Sequence, residues 1–308
     1  MFKQLFASVR ANSGLFHEQQ FVVLDRLIQI NLARADWQSL KQHLDYHDWL
    51  GNRLYTDSPL QLAGHLQNNA SYHELAAQAI VGPARNWHLV QTRHQLWRAV
   101  SALQTLPGER DRLPPLLYKI AIHHYALSRQ GDLRWLTSFE TRTDEPAMIS
   151  GWALQGNEVN KRSYEIGAEL ILRIISHYEM NPRSEPTSQA ALLAQLTAYR
   201  GDWEILFERD RHAFAFYEKS LALTAETSCS DLMVRALFEN PVQLPLTTLP
   251  PDVDVCSATQ NDGSVTVASA NFNPGAPAIY RPRRSQDQWL TESPPPALSA
   301  TDTEIHHD

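Results

Sequence analysis

From Gly14 to Asn240 one pattern repeats: apolar residues recur every three or four positions, and short polar or Gly/Pro-bearing breaks separate the runs. That is the period of helices that each bury one face. Residues 192–223 carry it most fully. Leu192, Leu193, Leu196, Tyr199, Trp203, Leu206 and Phe207 form one stripe, Glu208 to Arg211 interrupt it, and Ala213, Phe214, Phe216, Tyr217, Leu221 and Leu223 form the next. Two helices packed face to face are predicted. On the second, small Ala213, large Tyr217 and small Ser220 share a face, so a neighbouring backbone can approach beside the ring.

The same reading extends in both directions. Phe21, Leu24, Leu27, Ile28 and Leu32 form a stripe that stops near Ala35-Asp36, and Trp37, Leu40, Leu44 and Leu50 continue beyond it. Ser58-Pro59-Leu60-Gln61 reads as a helix start, with a capping serine, proline at the first position and glutamine three residues after the cap. Gly82-Pro83 and Pro107-Gly108 mark loops. Between them Trp87, Val90, His94, Trp97 and Val100 line one face. Leu116, Leu117, Ile120, His124 and Leu127 lead to a stop at Gly131-Asp132, and Val159 to Tyr178 gives a further helix that ends at Asn181-Pro182. Strand-like alternation is absent, so the body is expected to be all-α. Ala35-Asp36-Trp37, Gly131-Asp132-Leu133 and Gly201-Asp202-Trp203 look like a recurring turn. Their spacing suggests degenerate repeats with inserted helices, stacked as a curved array. A non-repetitive helical bundle is the alternative.

Beyond Phe238 the composition changes. Ten of the 18 prolines fall after residue 240, so the helical pattern has to end there. Val253-Asp254-Val255 and Val265-Thr266-Val267 flank Asn261-Asp262-Gly263, which reads as a β-hairpin. The expected organisation is a helical-repeat domain over 1–240, a small β module over 241–290, and a disordered proline-rich acidic tail over 291–308.

The small-aromatic-small face of Ala213, Tyr217 and Ser220, with bulky Trp203 and Leu206 before it, resembles the tetratricopeptide repeat. Ser13 to Gln20, Leu32 to Trp37, Gly201-Asp202-Trp203 and Leu237 to Pro245 together resemble a group of poorly characterised bacterial tetratricopeptide-repeat proteins. In that group the last motif joins the helices to a module similar to the C-terminal domain of TonB. Here Val253–Ala270 resembles that module's hairpin and Tyr280-Arg281-Pro282-Arg283 a later strand, while its intervening helix is missing. The resemblance implies an α-solenoid of helical hairpins, with relatives that are generally exported and longer at the N-terminus. It implies no catalytic residue.

Charge and composition narrow the partner. The net charge is −7, concentrated after residue 240, and no basic stripe is present, which argues against nucleic acid and anionic lipid as partners. No run approaches the roughly 20 apolar residues of a membrane span. The start MFKQLFASVRANSG lacks the apolar region of an export signal. A cytoplasmic location is then the default, and a periplasmic or envelope one follows if the N-terminus is shortened. Cys229 and Cys256 are the only cysteines: one disulfide and two free thiols are both open.

Reaction chemistry finds little to hold on to. Among 13 histidines, His43 and His47 share a helical face, His123 and His124 are adjacent, and His306 and His307 lie in the tail. No His-Glu-x-x-His motif accompanies them, so surface or capping roles are expected. Nucleophile elbows, Walker loops and dinucleotide fingerprints are absent, and Cys229 has no evident base beside it. Trp37, Trp87, Trp97 and Trp203 are expected in the core, whereas Trp49 and Trp152 border turns, where packing against a loop is the expected role and lining a groove the alternative. No catalytic, cofactor-binding or metal-ligating residue is assigned. The expectation is a non-catalytic scaffold for a protein or peptide partner, with a metal-binding or enzymatic helical protein as the alternative.

Overall fold

A computed structural model describes residues 10–12, 14, 16–129, 156–182, 186–239, 243–244 and 279–280. The described part is mostly helical. In chain order it contains α1 (Gln19–Arg34), α2 (Trp37–Leu54), α3 (Pro59–Ala79), α4 (Pro83–Gln104), a 3₁₀ stretch (Pro107–Arg112) and α5 (Leu113–Ser128). There follow α6 (Gly156–Met180), α7 (Pro186–Leu206), α8 (Asp210–Thr224), α9 (Ser230–Val234) and a π turn (Arg235–Glu239). The last pieces are strands β1 (Gln243–Leu244) and β2 (Ile279–Tyr280), paired antiparallel with Gln243 opposite Tyr280.

The breaks between helices follow from local chemistry. α1 closes at Ala35, whose φ of 52° is left-handed, and Asp36 then caps α2 by accepting the Ser39 N–H at 3.1 Å. α3 begins with Pro59 at its first turn as predicted, although the Ser58 side chain makes no capping hydrogen bond; the proline's fixed φ sets the start. Gly82, at φ 75°, makes the turn into Pro83 and α4. The turn between α7 and α8 passes through Glu208 at φ 60°, within the polar break seen in the sequence.

Packing runs along the chain, and side chains also reach the next helix but one. Phe21 of α1 meets His65 of α3 at 5.1 Å between ring centres. Arg98 of α4 donates to Asp48 of α2 at 3.0 Å, and Lys119 of α5 pairs with Glu74 of α3 at 3.0 Å. Tyr125 of α5 lies edge-on to Trp203 of α7 at 6.3 Å. The largest core joins α3 to α7 through residues such as Leu66, Leu103, Ile120, Ile174 and Trp203, and Leu244 of β1 packs into it. A second core holds Ala194, Ala198, Ala213, Tyr217 and Phe238.

Two sequence expectations need correction here. Gly201-Asp202-Trp203 is no turn: it lies inside α7. Glycine stands there because the Tyr217 ring of α8 occupies the space of its missing side chain, and Asp202 accepts the Tyr217 hydroxyl at 2.9 Å. Of the expected core tryptophans only Trp203 is fully buried, while Trp37, Trp87 and Trp97 sit half-buried at the edges. Gly131-Asp132-Leu133, Trp152, the hairpin at 253–267 and the tail at 291–308 lie outside the described residues.

Candidate functional site

Histidines form a buried seam between α1 and α5. The imidazole of His47 on α2 is hydrogen-bonded through Nε2 to Asp25 of α1 at 3.1 Å and stacks on His65 of α3, with ring centres 4.6 Å apart and 18° between planes. Gly51 backs His65 so closely that no Cβ would fit. One helical turn pair along α3, His73 faces His88 of α4 with their Nδ1 atoms 2.9 Å apart, so one ring donates and the other accepts. On α5, His123 and His124 are both buried. His47, His123 and His124 therefore do not have the surface or capping roles expected of them. They point inward because their helices have neighbours on more than one side, which stripe analysis of a single helix does not reveal.

Burial disfavours the charged form of His65, His73, His88, His123 and His124. It lowers His65 to about 4, helped by His47, and lowers His88 to about 4, helped by the Lys41 ammonium. His123 falls to about 3 through burial and then Lys119, and His73 and His124 fall well below the ordinary value for the same leading cause. Burial raises the Asp25 carboxyl, but hydrogen bonds from His47 and Tyr72 outweigh it and bring the group below its usual value. An aspartate orienting a histidine is half of a catalytic arrangement, yet His47 is only 1% exposed. Among the described residues no three His, Cys, Asp or Glu side chains converge as a metal site would require.

A second polar centre links α6, α7 and α8. Glu204, 1% exposed, pairs with Arg200 at 2.5 Å and with Arg209 at 3.2 Å, and accepts the Tyr164 hydroxyl at 2.7 Å. Arg209 lies over the Tyr164 ring at 4.2 Å, and Arg200 lies over Phe216 at 4.5 Å. Its members bind one another, so the centre fastens helices together.

An accessible concavity opens between α5 and α6. Leu113, Pro114, Leu117, Leu172 and Met180 give it an apolar floor, and Glu169, Arg173, Ser176 and His177 add polar groups, around a cavity of about 330 Å³. Leu172 is 47% and Met180 75% exposed, so apolar surface faces water there. His177 at the edge is held by Asp111 at 3.3 Å. A signal for this groove exists in the sequence. Leu172 falls between Leu170 and Ile174 of the buried α6 stripe, so it must point away from the core.

Of the residues singled out in the sequence, Trp49 is 48% exposed and packs against Phe16 and Tyr46, away from this groove. Cys229, just before α9, is disulfide-bonded and so is not a free thiol; the chain's other cysteine, Cys256, lies outside the described residues. No described helix is long and apolar enough to cross a membrane. Compared with protein-family models, curated proteins and solved structures, the chain matches none, so its function has to be read from its own geometry.

Proposed function

We propose that this chain is a non-catalytic helical-repeat scaffold, a degenerate α-solenoid of tetratricopeptide-like hairpins, that holds a protein or peptide partner in the groove between α5 and α6. The observation that carries the proposal is the exposed apolar floor of that groove, with Leu172 and Met180 open to water. Its volume lies at the small end of ligand pockets, about 300–1,000 Å³, which suits a side-chain anchor better than a whole cofactor. The partner chemistry that fits is a peptide presenting an aliphatic residue to Leu117 and Leu172, with a charged neighbour meeting Glu169 or Arg173.

The repeat reading is supported by contacts to the next helix but one and by the α7–α8 pair, where Ala213, Tyr217 and Ser220 are all buried. A stack of hairpins leaves grooves between successive helices, and such surfaces serve binding more often than reaction. The resemblance to exported bacterial relatives extends the proposal to a partner at the cell envelope.

Selection from a random peptide library against the full chain tests the proposal. Enriched peptides should share an aliphatic anchor and lose at least tenfold in affinity for Leu172→Glu, whose helicity circular dichroism should show unchanged. Failure to enrich any sequence, or equal binding to Leu172→Glu, would overturn the groove as the site.

A further inference from the structure

A surface distinct from that groove lies at the α1–α2 end. Tyr46, Trp49 and Arg53 occupy one face of α2 at helical spacing, and Phe16 and Arg10 from the segment before α1 lie against them. The rings form a continuous shelf: Phe16 to Trp49 is 5.5 Å between centres, and Trp49 to Tyr46 is 5.3 Å. Arg53 lies over Phe16 at 5.6 Å and Arg10 over Tyr46 at 5.7 Å, so a cation flanks each end. The shelf is fixed from below, since the Tyr46 hydroxyl donates to buried Gln20 at 2.9 Å and Gln20 donates to the Gly14 carbonyl at 3.0 Å. Nearby acids have other partners: Asp45 pairs with Lys41, and Asp48 with Arg98. Phe16 and Trp49 are nonetheless 46% and 48% exposed.

Contiguous half-exposed aromatic rings are what a polyproline helix docks on, because its proline faces are flat, apolar and already ordered. One turn of that helix is about 9 Å long. Steps of 5.5 and 5.3 Å give the shelf a length of at most about 11 Å, so it accommodates about one turn. The flanking arginines add a preference for acidic residues beside the prolines.

The chain itself contains such a sequence. Residues 291–308 hold Pro294-Pro295-Pro296 together with Glu292, Asp302, Glu304 and Asp308, and no lysine or arginine. Pro294 follows Tyr280 of β2 by fourteen residues, which span up to roughly 45–50 Å when extended, the width of about five packed helices. We infer that the aromatic shelf of Phe16, Tyr46 and Trp49, flanked by Arg10 and Arg53, is a docking site for the proline-rich acidic segment 291–308 of the same chain.

The indole N–H resonance of Trp49 in the isotopically labelled full chain reads this contact, with Trp49→Phe identifying the signal. Replacing Pro294, Pro295 and Pro296 together by alanine should move that resonance, and adding a synthetic peptide of residues 291–308 to the variant should move it back. Arg53→Glu, an exposed substitution that leaves the fold intact, should weaken the peptide several-fold and more so at low salt. An unmoved Trp49 signal in the proline variant, with no response to peptide, would overturn the proposal. A wild-type signal that changes on dilution would overturn it too, in favour of docking between two copies.

Discussion

The ring of Tyr217 lies so close over Gly201 that a Cβ built on the glycine would stand 2.5 Å from its Cε1. Gly201→Ala gains helix propensity of about 1 kcal/mol. Overpacking a closed core costs about 1–3 kcal/mol, and Tyr217 is fully buried with its hydroxyl fixed on Asp202. The clash should win. Urea unfolding of Gly201→Ala is expected to show a net loss of stability; a gain would mean that the ring yields freely.

Glu204 collects two arginines and a tyrosine hydroxyl in a buried place. Removing one member of such a set strands the others, at a cost of about 3–5 kcal/mol. Glu204→Ala should therefore be among the most damaging single changes in α7. Arg200→Met combined with Glu204→Leu should recover much of that loss. The comparison of the single and double variants by chemical denaturation checks the argument, and equal losses would refute it.

Acid should loosen the α2–α4 region. His65 and His88 titrate near 4 in the folded chain and near 6.5 when unfolded, so the unfolded state takes up protons first. Their contribution is complete above about 6.5 and is lost as the pH falls towards 4. For His65, which faces His47, Asp48, Arg98 and Asp25, the loss is on the order of 3 kcal/mol. His65→Gln and His88→Gln should each flatten the dependence of stability on pH in that window, measured by denaturant unfolding along a pH series.

Asn69 offers a contrasting case. It is fully buried on α3, and neither its amide oxygen nor its nitrogen finds a hydrogen-bond partner among the described residues. An unsatisfied buried amide costs about 1–3 kcal/mol. Asn69→Leu, close in volume, should leave the melting temperature unchanged or raise it. A large drop would show that the amide is engaged when the protein is in solution.

The disulfide at Cys229 makes a chemical prediction. The sulfur should resist alkylation in the native and the urea-unfolded chain alike until a reductant is added. Alkylation without reductant would show a free thiol. A bond of this kind persists in oxidising compartments, so the measurement also bears on where the chain folds.

Helix positions were legible because burial of one stripe leaves a strong period in sequence: Ile166, Leu170 and Ile174 are buried on α6 as their spacing requires. The break expected at Glu208 to Arg211 was legible for the same reason, although only Glu208 and Arg209 of it lie between the helices and Asp210 and Arg211 already open α8. The histidine seam was not. His65, Asn69 and His73 recur at four-residue spacing on α3, but a polar ladder of that kind reads as a solvent face until a neighbouring helix is known to cover it. Gly201 misled in the other direction. A glycine before aspartate signals a turn, whereas here a tyrosine sixteen positions later occupies the space beside it. The α5–α6 groove left a trace in off-stripe Leu172, yet nothing local told which helix would face it.

The chain-order packing of α1 to α8 has a consequence for how the molecule is made. Partners such as Gly201 and Tyr217, or Gly167 and Trp203, are separated by at most about one hairpin of sequence. Folds with mainly local contacts close quickly, since little loop entropy is lost before each contact forms. On a ribosome each helix can settle against the preceding ones as it emerges. Among the described elements the strand pair Gln243–Tyr280 is completed last, so synthesis itself sets their order of assembly.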